Sequence, residues 1–315
     1  MKIDQRGAVC VLGTGLIGGS LLRGAVGAGY AAFGYNRSES GVVAARADGF
    51  DVSGDLVEVL RRAAEVDALV VIAVPMPAVD FVLGEIAAHA SGCALTDVVS
   101  VKGPVLDAVR EHGLEGLYVG GHPMAGTSES GWAATDSTLF RGAVWAVGVD
   151  EGTRVEPWSR VVRLALDCGS VVVPVVASEH DQAVARISHL PHVLAETLAA
   201  SGAAGGKLAL GLAAGSFRDG TRVAGTAPDL VRAICEPNAT ALGRVLDEAI
   251  ETLVTARESL RAQGSLRGVV ETGYRGRTAY DERASWDITG VVPGSDDWLG
   301  ELQRAGRDGG VLRAI

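Results

Sequence analysis

Lysine is nearly absent from this chain. Among 315 residues only Lys2, Lys102 and Lys207 occur, so arginine carries nearly all the positive charge. The imbalance reads as genomic base bias before it reads as function. The net charge is -10. Phosphate binding needs a basic surface, so a general nucleic-acid binder is disfavoured and no nucleic-acid partner is expected. Cysteines are few and scattered: Cys10, Cys93, Cys168 and Cys235 form no CxxC pair and no Cys/His pair at zinc spacing. No metal site is expected, and a disulfide framework is unlike a chain this long. Long apolar runs are missing as well. None reaches the roughly 18 to 20 residues that a membrane helix requires. Met1 to Arg6 runs straight into a strand pattern without a signal-peptide signature. A cytoplasmic protein with no membrane partner is expected.

What is present is a globular composition, 48% hydrophobic and 21% charged, long enough for two domains. Short apolar runs alternate with helical stretches in the first half. Residues 8–13, 31–35, 67–75, 93–100, 117–122, 143–149 and 169–176 read as strands, and residues 16–28 as a helix. Strands apolar on both faces and separated by helices predict an α/β fold, a doubly wound parallel sheet covered on both sides. After Ala177 the strand runs stop. Residues 178–201, 205–215, 229–235 and 237–263 carry helix-period apolar positions, with Leu242, Val245, Leu246, Ala249 and Leu253 on one face. The expected division is 1–176, 177–263 and 264–315. An all-helical domain of under 90 residues has a small core, so pairing with a second copy as a homodimer is expected. The tail predicts a small β-α-β appendage: strand 286–292, helix 295–307 with Ser295 as N-cap and Asp296 and Asp297 in its first turn, strand 310–315.

Gly13-Thr14-Gly15-Leu16-Ile17-Gly18 is a GxGxxG loop between the first strand and the first helix, the context in which this motif is informative. Gly13 permits the tight turn, and Gly15 lets a pyrophosphate reach the backbone. Gly18 lets the helix pack on the strand, with the first-turn amides facing phosphate. Val74 and Pro75, closing the run 67–75, are further cofactor candidates. An acid about 20 residues beyond the loop would bind the ribose 2′-hydroxyl. Here Asn36-Arg37-Ser38 stands there, with no acid before Glu39. Arg37 suits a 2′-phosphate or an adenine face, and Ser38 can donate to the same phosphate. NADP is favoured over NAD; the alternative is a solvated Arg37 and NAD.

Three further segments mark strand ends and the start of the helical region: DVVSVK (97–102), GGHPMAG (120–126) and SHLPH (188–192). Ligands sit at the carboxyl ends of parallel strands, which makes Ser100 and His122 expected neighbours with His189 facing them. With VLGTGLIGGSL (11–21) and SFRDGTRVA (216–224), these motifs agree in order and spacing with the prephenate/arogenate dehydrogenases, which the chain resembles over roughly residues 8–262. The tail around Gly273-Tyr274-Arg275 is similar to the extension of the actinobacterial members.

The resemblance implies a Rossmann domain, a helical dimerisation domain and oxidative decarboxylation of a cyclohexadienyl substrate. By the same match His122 takes the ring hydroxyl's proton, a role suited to a neutral imidazole. Ser100 bonds that hydroxyl or orients His122, its alternative being a helix cap. Arg222 is the leading partner for a substrate carboxylate. His189 and Arg218 are weaker candidates, the alternatives being a core histidine and a salt bridge to Asp219. His192 reads as structural. Lys102 lies either toward the nicotinamide or at the surface. His89, His112 and His180 read as solvated helix residues. Two departures bear on the substrate: Ser128 stands where many relatives carry an acid, with Glu129 one step later, and Val231 where some carry tryptophan. Two rivals remain. A β-hydroxyacid dehydrogenase or imine reductase would need a catalytic lysine on the interdomain helix, and residues 177–206 contain none. A non-catalytic NADP sensor would not need Ser100, His122, His189 and Arg222 together.

Overall fold

The computed structural model describes residues 6–127 and 129–315. Nine strands build its first part: β1 Ala8–Leu12, β2 Ala31–Tyr35, β3 Val52–Ser53, β4 Leu69–Ile72, β5 Leu95–Asp97, β6 Tyr118–Val119, β7 Gly121–Pro123, β8 Val144–Gly148 and β9 Val171–Val175. Six helices connect them: α1 Leu16–Gly27, α2 Glu39–Ala47, α3 Leu56–Glu65, α4 Val79–His89, α5 Gly103–Glu111 and α6 Val155–Asp167. The first six strands form a parallel sheet in the order β3-β2-β1-β4-β5-β6. Alternation along each strand feeds two cores. Val9, Val11, Leu69 and Val71 pack with α1, α2 and α6. Cys10, Leu12, Val70 and Ile72 pack with α3, α4 and α5 on the other face. That is why these runs are apolar at every position.

The run 117–122 is not the single strand the sequence suggested. It breaks at Gly120 into β6, which ends the parallel sheet, and β7, which opens a second sheet β7-β8-β9. There β7 runs antiparallel to β8, and β8 parallel to β9. The break lets Gly121 sit against β5: a Cβ at Gly121 would fall 2.5 Å from the Asp97 carbonyl oxygen. Only glycine permits that approach.

The chain divides into two compact units. One holds residues up to His180 together with Trp286–Ile315; the other is Asp181–Ser285. Helix α7, Ala177–Val184, leads into the second, which continues through a π-helical turn Ala185–His189 and α8 Leu190–Ala204. Then follow α9 Gly206–Gly211, α10 Gly215–Gly220, α11 Pro228–Cys235, α12 Ala239–Gln263 and α13 Arg267–Asp281. This unit is all-helical, as expected. Its buried apolar cluster is small: Ala185, Ala241 and Val245, with Leu190 packed against them. The apolar stripe on α12 is buried at Leu242 and Val245 but emerges at Leu253, 60% exposed.

The segment read as one C-terminal extension, 264–315, belongs to two places. Helix α13 falls in the second unit, whereas β10 Trp286–Asp287, α14 Trp298–Arg307 and β11 Gly310–Val311 fall in the first. The expected β-α-β order is present, with β10 and β11 parallel. Its strands are shorter than expected, and α14 starts at Trp298 with Asp297, not Ser295, at the N-cap. Ser295 instead sits in a turn, donating to Val292 and accepting from Trp298. Nor is the tail an appendage. Ile288, Trp298, Leu302, Ala305 and Leu312 join the first unit's core. Trp298 packs edge-on against Trp158, with centroids 5.2 Å apart.

Candidate active site

The glycine loop follows β1. Gly13 has φ +104°, in the left-handed region, and donates to the Tyr35 carbonyl. A Cβ at Gly18 would lie 1.9 Å from the Gly13 oxygen, so any side chain there would force α1 off the strand. A Cβ at Gly15 would meet nothing, and no side chain caps α1. The first-turn amides of Leu16, Ile17 and Gly18 thus open into space beside a bare backbone, which fits an entering pyrophosphate.

Asn36 ties this loop to the end of β2. Its Nδ2 donates to Thr14 Oγ1 at 2.9 Å, and its Oδ1 accepts from the Ser38 amide. Ser38 is the N-cap of α2; its hydroxyl accepts from the Gly41 amide and meets Ser40 Oγ at 2.8 Å. Arg37 is exposed between them. At the end of β4, Val74 is half-buried and Pro75 exposed.

A buried polar lattice lies at the carboxyl end of β5. Asp97 is fully buried. Its Oδ1 accepts from the Val99 amide and from Lys102 Nζ; its Oδ2 accepts from the Tyr118 hydroxyl at 2.6 Å and the Gly121 amide at 3.3 Å. Lys102 Nζ also donates to the Gly121 carbonyl at 2.6 Å. Lys102 is therefore neither a surface lysine nor shown reaching outward: at 2% exposure it cross-links β5 to β7. A buried carboxylate is tolerable only when matched in this way. The lattice holds both the loop carrying Ser100 and the strand carrying His122. Ser100 does not cap α5, whose N-cap is Lys102.

His122, half-buried on β7, meets His180 of α7. His122 Nδ1 and His180 Nε2 are 2.9 Å apart, and the rings are inclined at 70°. His180 is only 4% exposed, a correction to its reading as a solvated helix residue. Its place in a polar Ser-Glu-His-Asp run gave no hint of burial. His89 and His112 face Glu85 and Asp80 near the surface.

In the second unit His189 is buried at the end of the π-helical turn, its Nδ1 3.2 Å from Asn238 Nδ2. Asn238 also donates to the Asp181 carbonyl at 2.7 Å. Arg222 is exposed on a 3-10 turn and acts electrostatically on His192, which links two residues the sequence had kept apart. Burial chiefly holds His192 below its ordinary pKa; Glu196 opposes this and Arg222 adds to it. Its Nδ1 is buried with no hydrogen-bond partner among the described residues. Arg218 is exposed and pairs with Asp219 at 3.5 Å. Ser128 lies outside the described residues. Among the described residues no group of three or more His, Cys, Asp or Glu is placed to hold a metal, and no helix is long and apolar enough to cross a membrane.

Comparison with known proteins finds two domain models, one after the other. Residues 23–174 fit the family model for the prephenate dehydrogenase nucleotide-binding domain, and residues 176–271 that for its dimerization domain. A prephenate dehydrogenase of Lactococcus lactis is 32% identical over 225 residues, 69% of this chain and 60% of that protein. A cyclohexadienyl dehydrogenase of Zymomonas mobilis is 30% identical over 262 residues, 81% of this chain and 89% of that protein. A Corynebacterium glutamicum crystal structure, provisionally assigned as a prephenate dehydrogenase, superposes with a TM-score of 0.94. It is 48% identical and covers 99% of this chain and 100% of that one. With both domain models matched in order across most of its length, the chain belongs to the prephenate dehydrogenase family.

Proposed function

We propose that this protein is an NAD(P)-dependent dehydrogenase that converts prephenate to 4-hydroxyphenylpyruvate with loss of carbon dioxide, a step of tyrosine biosynthesis. The observation that carries the reading is His122, held by the Asp97–Lys102–Gly121 lattice on the strand-end side where the glycine loop also opens. A nicotinamide dinucleotide held on the Gly13–Gly18 loop would supply the acceptor for the hydride leaving the substrate's hydroxyl-bearing carbon. His122 takes the hydroxyl proton on Nε2, which its Nδ1 contact with His180 leaves facing away from that ring. Ser100 bonds the same hydroxyl. Arg222, with Arg218 and His189 in support, supplies counter-charge to the carboxylates. The bond to the departing carboxylate then breaks, its electron pair completes the aromatic ring, and His122 returns its proton to the ring oxygen.

Several finer readings accompany this one. NADP is the preferred cofactor, supported by exposed Arg37 and by a β2 end without an acid. The protein is a homodimer through the helical unit, supported by the dimerization-domain match and by exposed Leu208, Leu212, Leu253 and Val270, each at least 60% exposed on that unit. It works in the cytoplasm, where its four free buried thiols stay reduced. The test is kcat/KM for prephenate, arogenate and 4-amino-4-deoxyprephenate with each cofactor. Prephenate with NADP should give the highest value. A tenfold preference for either alternative would move the assignment to that substrate.

A further inference from the structure

We infer that His180 is a positioning residue that sets the tautomer of His122 and stabilises it after proton uptake; the inference rests on His122 being the base of the proposed reaction. The contact is 2.9 Å between two ring nitrogens, so one of them carries the proton and the other the lone pair. Two N–H groups cannot face each other at that distance. If His180 donates, His122 keeps its other proton on Nε2 and cannot accept one there. If His122 Nδ1–H donates, its Nε2 carries a lone pair and is ready to act.

Base-competent His122 therefore requires His180 with an unprotonated Nε2. When His122 takes the hydroxyl proton, both its nitrogens bear hydrogen, and the bond to His180 becomes charge-assisted and stronger. The Nδ1 proton stays in place and no net proton enters the pair beyond the one the substrate releases. A neutral imidazole acceptor stabilises that cation less than a carboxylate would, because the bond carries one charge rather than two opposite ones. The placement is built in. The His180 amide donates to the Val176 carbonyl in the first turn of α7, which leaves β9. Gln303 of α14 donates to Val149 and Arg307 of α14 pairs with Glu179, bracing the same region.

The experiment uses the full-length protein as wild type, His180→Gln and His180→Phe. Long-range proton–nitrogen spectra of 15N-histidine protein are recorded without substrate, and kcat and KM are measured with prephenate and NADP. Wild-type His122 should show Nδ1 protonated and Nε2 bare. His180→Phe should move His122 toward the Nε2–H form and lower kcat about 10- to 100-fold, part of the 10²–10⁴ that a general base is worth, with KM within about threefold. His180→Gln, whose amide oxygen still accepts, should keep the tautomer and recover most of kcat. A wild-type His122 protonated on Nε2 overturns the inference even if no variant folds. So does a His180→Phe enzyme with unchanged tautomer. A wild type that turns over none of the cyclohexadienyl substrates would instead sink the proposed function, while the tautomer spectrum still decides the role of His180.

Discussion

Lys102 and Asp97 show how much one buried charge depends on another. Removing the ammonium leaves a carboxylate at zero exposure with only neutral donors. Lys102→Met should therefore cost about 3–5 kcal/mol, the range for breaking a buried pair. Urea denaturation would reveal it, and a loss under about 1 kcal/mol would mean water reaches Asp97. Arg37 offers a second residue-level test. Arg37→Ala should raise KM for NADP about tenfold while changing that for NAD less than about threefold, since one charge-assisted contact is lost only with the phosphate; equal changes would remove the argument for NADP. His192 gives a pH signature. Its pKa is depressed in the folded state by burial, so below its ordinary 6.5 the unfolded chain binds a proton that the native chain refuses. Stability therefore falls as pH drops through that region, and His192→Gln should flatten the dependence of denaturation midpoint on pH between about 7 and 5. An unchanged slope would show that His192 is not depressed.

Among the elements, the tail has the clearest energetic role. Trp298 is 7% exposed and packed on Trp158 in the first unit's core. Trp298→Ala should cost about 3–5 kcal/mol as a large-to-small core change, measured by thermal or urea unfolding; a cost under about 1 kcal/mol would mark α14 as dispensable. The sequence announced this helix through a cap residue and first-turn acids but not its docking, because docking depends on non-local fits such as Gly306, whose added Cβ would fall 2.0 Å from the Pro174 oxygen. The same limit explains β6 and β7. Apolar continuity through residues 117–122 hides the break, which follows from Gly121 approaching Asp97 across 24 positions of sequence. By contrast, the glycine loop, strands β1, β2, β4 and β5 and the all-helical unit were legible, since each rests on local periodicity or turn chemistry; the two-residue strand β3 is too short to leave such a pattern. His180 was not: a lone histidine among polar neighbours carries no sign of what folds over it. Helix α13 drew no expectation at all, as Gly268, Gly273 and Gly276 weaken its local preference.

For the whole molecule, the helical unit has a three-residue buried apolar cluster and wide apolar exposure, a poor balance for a free-standing domain. Sedimentation equilibrium should give a dimer at micromolar concentration, and Leu208→Asp with Leu212→Asp should weaken it if α9 and its exit lie in the interface. A monomeric wild type would contradict the proposed assembly. The central claim concerns chemistry, and one comparison tests it most directly: kcat/KM for prephenate with NADP in the wild type and in His122→Asn, alongside the NADP dissociation constant. The wild type should turn over. The variant should lose about 10²–10⁴-fold in kcat and keep NADP affinity within about threefold. Activity of His122→Asn within about threefold of wild type would contradict the account.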